Sequence, residues 1–391
     1  MRPNTQTLGI DVSLLPVMEA AGARYSDCGR ERDPLELFRE VGFTTARLRL
    51  FHTPCGRGAQ VNDLSYTVSL AKRCAAAGFD ILLCPHFSDT WADPGQQATP
   101  RAWAGLGFRE LCLAVQEYTH RVVRTMFDAG CGPSVVQIGN EITGGFLWDT
   151  GRVASSCAST GDNWSGVLAA DAQRWDAFTA LLRSAVLGVE SGSRNHGSDS
   201  PSIMLHIDRG GDEEAASCFF DWMKRCRVRY DQIGLSYYPF WHGTLEDVCA
   251  TVTGLHRDFG RPVHVVETAF PADSHALYSD KTEAVSAALG VPASHGVDYP
   301  ISDEGQHAFV ADLLDAMTRH AADGWEGLTY WAPEWIEVAG HVDEPDAETC
   351  WPRALFNRQG RARRALGAFR RFSGRSGPLV EVARGKAGAR I

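Results

Sequence analysis

One punctuation mark recurs along this chain and restricts its fold more than any other feature: an amphipathic segment ends in glycine and an apolar run follows within a few residues. It appears as FREVGF-TTARLRLF around Gly42, CAAAGF-DILLCPHF around Gly78, MFDAGCGP-SVVQIGNE around Gly130, HRDFGRP-VHVVETAF around Gly260 and AADGWE-GLTYWAP around Gly324. Glycine is the usual helix terminator because it enters the left-handed region without a Cβ clash. Short continuous apolar runs read as strands covered on both faces. LGIDVS at Leu8–Ser13, SIMLHID near Ile203–Asp208 and QIGLSYYP near Ile233–Pro239 bring the strands to eight. Eight strands alternating with helices predict an α/β chain closed as a (β/α)8 barrel. The alternative, a doubly wound open sheet, would carry a Gly-rich phosphate turn after a strand, and GxGxxG is absent. All 391 residues are expected to form one catalytic barrel domain with long loops and a basic C-terminal helix or tail from about 358.

Charge and cysteine usage narrow the partners. The formal net charge, 38 − 48 = −10, argues against a nucleic-acid partner. The exception is the arginine-dense stretch Arg358–Arg375, which reads as a solvated helix face. No apolar run reaches the roughly 18 residues that span a bilayer, so no membrane partner is expected. The opening Met1-Arg2-Pro3-Asn4-Thr5-Gln6 has no apolar segment. The 11 cysteines are odd in number and lack CxxC pairs, and Cys74, Cys84, Cys112 and Cys249 sit in apolar surroundings. These features favour reduced thiols and a cytoplasmic location, with secretion after loss of a leader as the alternative. The chain is expected to act as a monomer.

The strand ends carry the chemistry. In order they finish in Asp11, Arg47/Arg49, His86, Asn140-Glu141, His206/Asp208, Tyr237-Tyr238, Glu267 and Trp331. A buried strand ending in a charge is costly unless that end faces a solvated site, and the C-terminal rim of a barrel is such a site. The longest irregular stretches, about 142–170, 268–304 and 332–352, also follow strands. Glu141 and Glu267 close the fourth and seventh strands, across the barrel mouth from one another. Retaining glycoside hydrolysis needs two carboxyls about 5–5.5 Å apart, one to protonate the leaving oxygen and one to attack the anomeric carbon. Arg47 and Arg49 are expected to hold Glu267 ionised, while Glu141, away from the guanidinium groups, keeps its proton. The Asn140 amide is expected to bind a sugar 2-OH. The histidines at 206, 242, 256 and 264 show no metal-ligand spacing. A metal hydrolase, the reading with Asp11, His86 and His206 as ligands, therefore has no motif behind it.

Beyond this the chain resembles glycoside hydrolase family 53, the endo-β-1,4-galactanases of clan A. The resemblance runs from Gly9–Ser13 to Trp331–Ile336 through ARLRLF (46–51), HFSDTWADPGQQATP (86–100), QIGNEITGGFLW (137–148), MLHID (204–208), GLSYYPFW (234–241), VVETAFP (265–271) and YWAPEWI (330–336). It implies a retaining, endo-acting β-1,4-galactanase working on galactan, arabinogalactan or galacto-oligosaccharides. Glu141 is then the acid/base and Glu267 the nucleophile. It further implies that Arg47, His86, Asn140, Tyr238 and Trp331 line the site and that Trp91 is a cleft wall. His206 is counted among the substrate-binding residues, and whether Tyr237 or Tyr238 faces inward depends on strand register. No cofactor is required by this chemistry. The loop with Asp273, Ser274, His275 and Asp280 only partly echoes the calcium cage of some bacterial members, which leaves a structural calcium as an alternative. The chain departs from the family at Cys84, where an Asp is usual, at Ala332 and Glu334, where YWEPAWI becomes YWAPEWI, and at Phe51, often Trp. These departures predict a shifted chain-length or linkage preference. A clan A relative with altered linkage or exo action, or a non-catalytic carbohydrate-binding barrel, are the other readings, and the second would have lost one carboxylate.

Overall fold

The computed structural model describes residues 6–153, 172–194, 200–273, 299–338 and 351–375. Eight parallel strands form a closed barrel: β1 (Thr7–Asp11), β2 (Thr45–Leu50), β3 (Asp80–Pro85), β4 (Val135–Gln137), β5 (Ser202–Ile207), β6 (Gln232–Ser236), β7 (Val263–Thr268) and β8 (Trp325–Trp331). Each strand pairs with its sequence neighbours, and β1 closes the ring by pairing with both β8 and β2. A long helix follows each strand: α1 (Pro34–Val41), α2 (Leu64–Ala76), α3 (Phe108–Asp128), α4 (Ala172–Gly192), α5 (Glu213–Arg225), α6 (Leu245–Phe259), α7 (Asp303–His320) and α8 (Ala365–Phe372). The barrel, not the open sheet, is the fold.

Local sequence accounts for most of these boundaries. Gly42, Gly78, Gly130 and Gly260 all adopt positive φ at or just past a helix end. Gly324 does not share that reason: a Cβ there would lie 2.5 Å from the His256 Cβ, so close packing of this connection on α6 demands the glycine. Asp33, Asp63, Asp212, Thr244 and Ser302 each accept a backbone N–H of the first turn of the following helix. Each such cap is worth about 1 kcal/mol. Most of the apolar core lies between strands and helices, while Leu82, Met204 and Val266 form a small separate cluster inside the barrel.

Strand β7 contains an irregularity that matters for the site. Leu235 of β6 pairs with Val265, yet Ser236 pairs with Glu267, and β8 shows a matching shift between Leu328 and Tyr330. Val266 points into the barrel with Leu82 and Met204, so strict alternation would turn Glu267 outward. The bulge re-aims Glu267 to the same side, as bulges beside active sites commonly do.

The arginine-rich C-terminal stretch is not a solvated face. Arg363 is buried and lies near Asp303 and Asp273, Arg364 pairs with Asp303 and Glu304, and Arg358 pairs with Glu337. Phe369 of α8 packs on Phe43, and Ser373 donates to the Val41 carbonyl. This stretch packs against α1 and α7. No helix among the described residues is long and apolar enough to cross a membrane.

Candidate active site

Glu141 and Glu267 meet at the C-terminal mouth of the barrel, in two different environments. Register places Asp11 of β1 beside Arg47 of β2, and Arg47 lies on the inner face. Its Nη1 contacts the Asp11 carboxylate at 2.7 Å and the Glu267 carboxylate at 3.1 Å. Nη2 donates to Asn140 Oδ1 at 2.6 Å and Nε to Gln137 Oε1 at 3.1 Å. One buried guanidinium thus ties several strand ends together. Tyr238 completes the surroundings of Glu267 by donating from its hydroxyl to that carboxylate at 3.0 Å. The neighbouring Tyr237 instead packs in the core and donates to the Gly243 carbonyl, so Tyr238 is the inward residue.

Glu141 sits beyond β4 with φ 48° and ψ 52°, a left-handed conformation that a non-glycine residue holds only under constraint. Its backbone N–H donates to His206 Nδ1 at 3.3 Å, and its Oε1 accepts from Ser236 at 2.6 Å. His206 also receives the Gln137 amide on Nδ1, which assigns its hydrogen to Nε2, 2.9 Å from the Ser236 hydroxyl oxygen. Burial, followed by the Arg47 charge, pushes the His206 pKa well down and keeps it neutral. A directed chain therefore runs from His206 through Ser236 to Glu141 Oε1, leaving the other carboxyl oxygen to carry the proton.

The electrostatics separate the two carboxyls. Burial, the Glu267 charge and the Asp208 charge together hold the Glu141 carboxyl well above the ordinary range, and the Ser236 hydrogen bond opposes them. Burial also raises Glu267, but there the Arg47 cation and the Tyr238 hydroxyl pull it back. Burial and the Glu267 charge raise Tyr238 itself well above its ordinary value, so it stays a donor. Both carboxyls are raised, Glu141 the further, so Glu141 holds its proton more tightly than Glu267, the order two-carboxylate catalysis requires.

Several expectations need correction. His206 has 0 % exposure, so it cannot touch a substrate; it orients Glu141 from below. Arg49 makes no hydrogen bond to Glu267 and favours its ionised form through charge alone; its guanidinium lies 3.9 Å from the Trp91 ring centroid. The Asn140 amide already donates to the Ala92 carbonyl at 2.9 Å, which leaves one N–H for a sugar. His86 accepts the Ala92 N–H on Nδ1, and burial with the Arg49 and Arg47 charges keeps it neutral, with its hydrogen on Nε2. Trp331 ends β8 beside Asp11, half-buried at the rim. Among the departures, Cys84 lies under Arg47 and takes the Gln137 amide at 2.9 Å, its thiol pushed up to about 12 by burial. Glu334, 1 % exposed, accepts the Leu14 N–H. Phe51 is buried edge-on against Trp91. All three support the site from behind rather than forming its walls.

Sequence reasoning missed Ser236, Gln137 and the role of Asp11. Ser236 stands two residues before Tyr238 on the inner face of β6, and that parity was the available signal. Of the loop with a partial calcium echo, Ser274, His275 and Asp280 lie outside the described residues, while Asp273 pairs with Arg358 at 3.5 Å. Among the described residues no group of three or more His, Cys, Asp or Glu is placed to hold a metal.

A closed (β/α)8 barrel with a protonated carboxyl after β4 and an arginine-held carboxylate on β7 is the working arrangement of a retaining glycoside hydrolase. Comparison with known proteins gives the particular family. Residues 7–369 match the model of glycosyl hydrolase family 53, and the chain belongs to that family. It is 37% identical over 84% of its length to 84% of an uncharacterized protein of Niallia circulans. It is 33% identical over 85% of its length to 85% of a probable arabinogalactan endo-beta-1,4-galactanase A of Neosartorya fischeri. The family 53 catalytic domain of Ignisphaera aggregans superposes with a TM-score of 0.78 at 30% identity, covering 94% of this chain and 96% of that one.

Proposed function

We propose that this protein is an endo-acting β-1,4-galactanase that cleaves galactan or arabinogalactan chains with retention at the anomeric carbon. The observation that carries the reading is the unequal pair: Glu267 bound by Arg47 and Tyr238, and Glu141 buried with its charged form disfavoured by its neighbours. Glu267 attacks the anomeric carbon as Glu141 passes its proton to the leaving oxygen, giving a covalent glycosyl–enzyme. Glu141, now a carboxylate, takes a proton from water, which attacks the same carbon and releases Glu267. Two inversions give net retention. The β-1,4-galactan specificity is supported by the names of relatives such as the endo-beta-1,4-galactanase of Bacillus subtilis, 28% identical over 88% of this chain. Both chemical steps use side chains alone, so the reaction requires no cofactor.

The test is Glu267→Ala on β-1,4-galactan and a panel of other β-linked glycans. Turnover should be lost, and added azide should restore part of it with an inverted glycosyl azide product, because the small anion fills the place of the missing carboxylate. Retained activity in Glu267→Ala would remove the nucleophile assignment. Cleavage of another glycan in preference to galactan by the unaltered protein would remove the substrate assignment.

A further inference from the structure

Arg49 is a buried cation that makes no hydrogen bond or ion pair with either Glu141 or Glu267. It is 3 % exposed, its Nε has no hydrogen-bond partner, and among the described residues no carboxylate pairs with it. A cation taken out of water without a partner destabilises the fold unless something nearby compensates. The Asp11 carboxylate favours its charge from a distance, and the face of Trp91 lies directly against it, 3.9 Å from the guanidinium carbon to the ring centroid.

Trp91 in turn is held by little else. Its indole N–H is buried without a partner, so no hydrogen bond sets the ring's orientation. The cation under its face and the edges of Phe51 and His86, at 5.7 and 6.2 Å between centroids, are what fix the plane. The next residue, Ala92, is bolted to the site through both of its backbone polar groups: its N–H donates to His86 and its carbonyl accepts from Asn140. The backbone beside Trp91 is therefore registered to the residue preceding Glu141. The ring itself is only half-buried.

We propose that Arg49 is a positioning residue for substrate recognition, which fixes the Trp91 indole from behind as a flat wall for a sugar ring near the cleaved bond. This rests on the glycanase reading above, and Trp91 is placed near the pair by its half-buried ring and by Ala92, whose carbonyl holds the Asn140 amide next to Glu141. Flat aromatic faces suit the apolar face of a pyranose ring, and a ring already immobilised loses less entropy when the sugar lands on it. Arg49 acts on the substrate through Trp91.

A double-mutant cycle on KM tests this, with R49M, R49K, W91A and R49M/W91A assayed on β-1,4-galactan. R49M should raise KM roughly two- to tenfold, the cost of ordering one loosened side chain when the sugar binds, with a much smaller fall in kcat. W91A should raise KM at least as far, R49K should lie between the unaltered protein and R49M, and the double variant should be no worse than W91A alone. If R49M does not fold, R49K and R49K/W91A run the same cycle. Multiplying effects of the two substitutions would overturn the proposal, as would an R49M variant that loses kcat with KM unchanged. If the unaltered protein cleaves a different β-glycan, the substrate reading fails while the cycle is run on that glycan.

Discussion

Ser236→Ala isolates the hydrogen bond that faces Glu141, the proposed acid. In the resting state the Ser236 hydroxyl donates to a neutral Glu141 carboxyl at 2.6 Å. As the glycosidic oxygen takes the proton, negative charge develops on Glu141 and the same bond becomes charge-assisted. Hydrogen bonds to charged groups contribute about 1.5–3 kcal/mol, so its loss in the transition state should lower kcat/KM on galactan by roughly ten- to a hundredfold. A dinitrophenyl glycoside leaves without a proton, and its kcat/KM should fall far less. The bond also favours the ionised form of Glu141, which Ser236 pulls down. Its removal raises the Glu141 pKa further, so the basic limb of the kcat/KM profile moves to higher pH. His206 Nε2 loses its acceptor 2.9 Å away, a stability cost of about 1–3 kcal/mol readable as a lower unfolding midpoint. Equal losses on both substrates, with an unmoved basic limb, would refute the chain from His206 through Ser236 to Glu141.

Other consequences follow from the same geometry. Arg47→Met removes the cation that opposes burial at Glu267, so the acid limb of kcat/KM should move to higher pH; it also strands Asp11, destabilising the fold by about 3–5 kcal/mol. An unmoved limb in a folded variant would contradict the role given to Arg47. Glu334, pushed up to about 8 by burial, keeps its proton in the folded state where the unfolded chain has lost it. Its stability contribution is complete below pH 4.5 and lost as pH rises to about 8, so Glu334→Gln should gain in Tm relative to the unaltered protein across that window, and a flat difference would contradict the buried acid. Gly324→Ala forces a Cβ to within 2.5 Å of His256 and should lower the denaturation midpoint by an amount equivalent to about 1–3 kcal/mol.

The sequence by itself determined the barrel and which two glutamates stand at strand ends on its mouth. Helix-ending glycines before apolar runs are local signals, because φ at Gly42 or Gly260 is set by the residue itself. The Asn140-Glu141 and Glu267 strand ends were legible because a charge closing a buried run is costly anywhere but at a solvated rim. Orientation was not legible. Alternation along VHVVET cannot reveal that β7 bulges between Val265 and Glu267, since a bulge is a property of pairing with β6 and β8. Arg47 and Arg49 are the same residue type two positions apart on one strand, yet one binds Glu267 and the other backs Trp91. His206 read as a substrate-binding residue because its residue type fits one, and only burial beneath Glu141 made it a support. The chain specifies which groups arrive at the rim; the closed sheet, by fixing register between strands distant in sequence, decides which of them touch.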